Sequence, residues 1–169
     1  MENGICVSIE YPTGSIIKKV IRKVWADSEI CKVSVKDEIE IAMDGGEIDA
    51  TRIPLPLNSE NLLMLCNVTN PAIRFTNMEE GYTVRMTWNA EELKNCMLWY
   101  SNRGRKFVPW NGTNLCLGIE PITAAFDLGD IISRGENPLK KNGVRTGRKV
   151  KAGEVVTLIN HMELEAFAE

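Results

Sequence analysis

Among 169 residues there is one histidine, His161, and none of the five cysteines sits in a C-x-x-C pair. Cys6, Cys31, Cys66, Cys96 and Cys116 lie 20 or more residues apart and are odd in number, a pattern of reduced, mostly buried thiols in a cytoplasmic protein. Neither sign of charge dominates: Lys+Arg 20 against Asp+Glu 23 leaves a net charge of −3, without the basic excess usual in a nucleic-acid binder. No apolar run approaches the roughly 20 residues of a membrane span. Met1 is followed by Glu2, Asn3 and Gly4 rather than by a basic stretch and an apolar segment, so no secretory signal is expected. No residue cluster calls for a metal or another cofactor. With 44% apolar and 25% charged residues, and no internal repeat, linker or low-complexity tract, residues 1–169 read as one globular domain.

What the chain does contain is a succession of short apolar or alternating runs separated by turn residues, the pattern of an antiparallel all-β protein with few helices. Cys6-Val7-Ser8-Ile9-Glu10 alternates and stops at Pro12-Thr13-Gly14. Cys31 to Val35 and Glu38 to Ile41 alternate again before Asp44-Gly45-Gly46. Leu62 to Val68, Tyr82 to Trp88, Cys96 to Tyr100, Leu115 to Glu120 and Val155 to Ile159 follow the same style. Ile16 to Trp25 is ambiguous. Its apolar positions have a helical period, yet five of the six are β-branched and favour a sheet. Asn89 to Asn95 reads as a short helical turn, with Asn89 as its cap and acids in the first turn.

The stretch from 97 to 130 carries the chemistry. Trp99, Tyr100 and Trp110 surround the turn Arg103-Gly104-Arg105, so aromatic faces sit beside guanidinium donors. Glu120 ends an apolar run and is followed by Pro121, which places it at a strand end against an apolar wall. A carboxylate held there is expected to have a raised pKa and to exchange protons. Flat aromatic faces, forked donors and one tuned carboxylate suit a sugar. Each also has a plainer reading: Trp99 and Trp110 as core anchors, Arg103 and Arg105 as exposed arms of a hairpin, Asp127 as a turn residue, Glu120 as an ion-pair partner. From Arg134 to Lys151 there are seven basic residues against the single acid Glu136, read either as a solvated loop or as a contact for a phosphorylated sugar or polyanion.

Through Met97-Leu98-Trp99-Tyr100, Arg103-Gly104-Arg105, Val108-Pro109-Trp110 and Gly118-Ile119-Glu120-Pro121, the sequence resembles the aldose 1-epimerase (galactose mutarotase-like) family. The resemblance extends back to Glu10-Tyr11-Pro12-Thr13-Gly14 and forward through Gly143-Val144-Arg145 to Lys151-Ala152-Gly153-Glu154, and so spans most of the chain. It implies a β-sandwich, the strand reading of Ile16 to Trp25, and interconversion of the α and β anomers of an aldose. It places Glu120 as the base that takes the anomeric hydroxyl proton. Trp99, Arg103, Arg105, Trp110 and Asp127 become substrate contacts, and the ligand a monosaccharide or sugar phosphate.

The chain departs from the family in length and in its histidines. Members are considerably longer, and their acid histidine follows the strand matching Glu38 to Ile41, where this chain has Ala42-Met43-Asp44-Gly45-Gly46. His161 lies far along the chain in Leu158 to Leu164, read as the last strand, where a packed or edge role is the ordinary one. Two functions follow: a short mutarotase-like enzyme, or a carbohydrate-binding or self-associating β domain that has lost the acid. A shortened sandwich leaves sheet edges open, and proteins commonly hide these by pairing, so a homo-oligomer is expected.

Overall fold

The structure, a computed structural model, describes residues 7–10, 16–18, 52–56 and 58–166. The strands expected at Cys31 to Val35 and Glu38 to Ile41, and the part of the Ile16 to Trp25 segment beyond Lys18, lie outside the described residues. In chain order come β1 (Val7–Glu10), β2 (Ile16–Lys18), β3 (Arg52–Ile53), β4 (Ser59–Cys66), β5 (Ala72–Asn77), β6 (Tyr82–Trp88), β7 (Asn95–Asn102) and β8 (Leu115–Ile122). Two short helices, α1 (Asp130–Arg134) and α2 (Pro138–Lys141), precede β9 (Asn160–Ala166).

The strands form two antiparallel sheets, one ordered β3-β1-β5-β6-β9 and the other β2-β4-β7-β8. The all-β expectation with few helices holds. Ile73 and Trp88 of the five-stranded sheet share an apolar cluster with Leu63, Leu65, Cys96, Leu98 and Tyr100 of the four-stranded sheet. The alternation of β4 follows from this: Leu63 and Leu65 face the other sheet, while Glu60, Leu62, Met64 and Cys66 face the opposite way. That second face is covered in part by residues 125–144. Ala125, Phe126, Leu139 and Val144 pack on Leu62, Met64, Cys66 and Met97 in a separate cluster. β7 is therefore covered on both sides, which explains why Cys96 to Tyr100 is continuously apolar rather than alternating.

Turn chemistry sets the register of the β5–β6 hairpin. Asn77 accepts the backbone N–H groups of Glu79 and Glu80 at 3.1 Å each, and Gly81 adopts a φ of 71° at the end of the turn. Register then runs from Ala72↔Thr87 to Asn77↔Tyr82. Asn89 caps its turn as expected, its Oδ1 receiving Glu91 N–H at 3.0 Å and Glu92 N–H at 3.3 Å.

Three boundaries differ from the sequence reading. β8 does not stop at Glu120 but continues through Pro121 to Ile122; proline is tolerated because β8 is the outermost described strand of its sheet. The last strand, read as Leu158 to Leu164, is β9 two residues further on, and Val155 to Ile159 is irregular. The basic segment 134–151 is not simply a solvated loop. It contains α2, buries Leu139, Val144 and Thr146, and is pinned by Asn137 Nδ2 donating to Thr146 Oγ1 at 3.1 Å and Thr146 Oγ1–H donating to the Ser133 carbonyl at 2.8 Å.

Candidate functional site

The face of the four-stranded sheet turned away from the shared core gathers most of the residues singled out by sequence. Trp99 lies opposite Gly118 across β7 and β8, and Met97 lies opposite Glu120, so Trp99 and Glu120 stand on one face two residues apart along adjacent strands. Gly118 is the floor between them. A Cβ there would come within 3.0 Å of Glu120 Oε1 and 3.2 Å of Trp99 Cβ, so glycine is what lets the carboxylate and the indole lie this close.

Glu120 is half-buried, and its carboxyl is held above the ordinary value of 4.5, first by burial and then by the nearby Asp127 carboxylate. Asp127 sits in the exposed turn after β8. It is thus both a turn residue, as its plainer reading has it, and a charge neighbour of Glu120. Behind them, burial pushes the Cys96 thiol up to about 12; the charge of Glu120 adds to this and a hydrogen bond from the Glu120 backbone opposes it. A thiol so held is protonated at neutral pH and no nucleophile.

Trp99, Arg105 and Trp110 do come together, but around a residue the sequence reading missed. The side chain of Glu60 is fully buried on the same face of β4. It accepts the Trp99 indole N–H at 2.9 Å and the Ser101 hydroxyl at 2.8 Å, and Asn114 Nδ2 in turn donates to Ser101 Oγ at 2.6 Å. Arg105 Nε is 3.4 Å from Glu60 Oε2 but not aimed along a hydrogen bond, so that contact is Coulombic. The Arg105 guanidinium carbon lies 4.6 Å from the Trp99 ring centroid and 5.2 Å from that of Trp110, and the two indoles meet edge to face at 6.4 Å. Gly104 permits the turn: a Cβ there would be 2.5 Å from the Ser59 carbonyl carbon. The one donor of the Trp99 side chain is therefore spent within the protein, and the Arg105 charge is met by Glu60 and the two indole rings. The signal for Glu60 was available, since it occupies the same period-2 phase as Leu62, Met64 and Cys66.

Arg103 occupies the left-handed region at a φ of 59°, its backbone N–H donating to the Asn114 carbonyl at 2.8 Å. It closes the loop between β7 and β8 and is half-buried. His161 is elsewhere. It pairs with Thr87 on the five-stranded sheet, on the face away from the shared core, and contacts Glu163 at 3.0 Å. Both sheets thus separate it from Glu120. Among the described residues no three His, Cys, Asp or Glu side chains converge as a metal site, and no helix is long and apolar enough to cross a membrane.

A cleft of about 430 Å³ opens beside this face, lined by Asp127 with Thr123, Ser133, Arg134 and Thr146 but not by Glu120. It adjoins a cleft of about 680 Å³ that carries Arg134, Lys140, Arg148 and Lys149. Most of that positive charge is met internally. Arg134 pairs with Asp130 at 3.3 Å, Arg148 pairs with Glu92 and with Glu154 at 2.5 Å, and Lys140 Nζ donates to the Arg134 and Gly135 carbonyls at 2.6 and 2.8 Å. The chain matches no protein-family model, no curated protein and no solved structure.

Proposed function

We propose that this chain is a carbohydrate-recognising β domain of the galactose mutarotase-like sandwich type. It takes a monosaccharide or sugar phosphate on the outer face of the four-stranded sheet and uses Glu120 as general base for anomer interconversion. The observation that carries the reading is Glu120 itself: a half-buried carboxyl raised by burial, set against Gly118 between the half-buried Trp99 ring and the Asp127 turn. Desolvation makes the carboxylate a stronger base than in water. Glu120 would take the proton of the anomeric hydroxyl as the ring C–O bond breaks, with water giving the freed ring oxygen its proton, and both transfers would reverse as the ring recloses on the other face. Asp127 and the adjoining cleft with Lys149 would meet the outer hydroxyls or a phosphate.

A second reading, sugar binding without catalysis, is favoured by the position of His161, which is across both sheets from Glu120 and so is no donor to the ring oxygen. Polarimetry or NMR of freshly dissolved α-glucose, α-galactose and α-glucose 6-phosphate separates the two. An active enzyme accelerates equilibration, and Glu120→Gln, which keeps the shape and removes the base, slows it by ~10²-fold or more. A binding domain leaves the uncatalysed rate unchanged while its tryptophan fluorescence still responds to sugar. Strong acceleration that survives Glu120→Gln would show that another group is the base, and neither acceleration nor a fluorescence response would remove both readings.

A further inference from the structure

The apolar stripe of the five-stranded sheet does not end where its cover ends. One cross-strand row runs Ile73, Met86, Met162, with exposures of 1%, 9% and 71%. The next runs Phe75, Val84, Leu164, and Leu164 is 73% exposed. The side chains of β9 thus continue the inner face of the sheet beyond the reach of the four-stranded sheet. Val155, Leu158 and Ile159, just before β9, are exposed as well. Large apolar residues gathered on one edge mark an interaction surface rather than chance exposure.

The backbone of the same strand is also unmatched. Among the described residues no strand pairs with the outer edge of β9. Its seven residues contain no proline, whereas β8, the outermost described strand of the other sheet, is interrupted by Pro121, and the described lengths of β2 and β3 are three and two residues. Among the described edges, β9 is the one best able to accept another strand.

We propose that β9 pairs antiparallel with β9 of a second copy about a twofold axis at Glu163, joining two five-stranded sheets into one. The strand is complementary to itself in this register. Met162 faces Leu164 of the second copy on the inner side, so each uncovered apolar residue gains an apolar neighbour. On the outer side His161 faces Glu165 of the second copy, a favourable pairing of cross-strand neighbours. Glu163 meets its own counterpart at the axis, and that repulsion is offset because each Glu163 is bound to Arg85 at 2.9 Å and to His161 at 3.0 Å. These contacts hold its carboxyl below the ordinary range, Arg85 contributing most. The interface is isologous, as a closed dimer requires, and it is independent of any sugar.

Sedimentation of the full chain across micromolar concentrations tests this, together with two variants. Met162→Lys with Leu164→Lys alters only positions exposed in a single copy, so the far-UV circular dichroism should be retained. It places like charges across the axis and should raise the dimer Kd by ~10²-fold or more. Glu163→Cys puts two thiols on directly paired residues, within the usual span of a disulfide, and mild oxidation should yield a covalent dimer. Val108→Cys, exposed in the loop between β7 and β8, is the control and should not. A chain that is monomeric throughout would overturn the proposal. So would a double-lysine variant that dimerises as tightly as the original, or a Glu163→Cys chain that cross-links no more than the control.

Discussion

Glu120 shows how a residue's surroundings decide its chemistry. Its carboxyl is raised because burial and Asp127 both disfavour the anion, and the consequence for stability has a definite sign. Below the ordinary value of 4.5 both folded and unfolded chains hold the proton, and the contribution is fully present. As pH rises above 4.5 the unfolded chain releases its proton first, and stability is lost until the folded carboxyl has also ionised. Glu120→Gln cannot titrate, so urea unfolding followed from acid to neutral pH should show the variant gaining on the original over that window. A difference that is flat with pH, or opposite in sign, would mean that Glu120 is not held as described. The tuned carboxylate was readable from an apolar run ending in Glu-Pro. The Asp127 charge beside it was not, because the turn after β8 folds back in a way no local pattern records.

The elements were readable where one face is buried and the other is not. Tyr82 to Trp88 coincides with β6, whose alternation survives because only one side meets the shared core. β5 has only Ile73 and Phe75 in alternation, too short a pattern to stand out beside Asn70 and Pro71. The helices α1 and α2 have five and four residues and are held by tertiary bonds such as Asn137 to Thr146, so no periodicity announces them. β4 carries the most consequential omission, because Glu60 on its apolar phase ties that strand to Trp99, Ser101 and Arg105. Glu60→Ala would leave the indole N–H and the hydroxyl without their acceptor and Arg105 without its counter-charge. It should cost about 3 kcal/mol in urea unfolding, with Glu60→Gln losing less because one acceptor oxygen remains. A loss below about 1 kcal/mol would show that the cluster is solvated rather than structural.

Taken together, two antiparallel sheets share one core, residues 125–144 cover part of the outer face of the smaller sheet, and Glu120, Gly118 and Trp99 lie half-buried on that same face, Trp99 packed against the cover. In the proposed function this partition is what would direct a sugar to the smaller sheet. The corresponding outer face of the larger sheet is occupied by the ion pairs Arg74–Glu165 and Arg85–Glu163 and offers no comparable floor. Backbone amide shifts in a two-dimensional NMR titration with millimolar glucose, galactose or glucose 6-phosphate report directly where a sugar sits. Saturable shifts should concentrate at Trp99, Gly118, Glu120 and Asp127. No saturable shift with any of the three sugars, or shifts confined to the larger sheet, would contradict sugar recognition at this face.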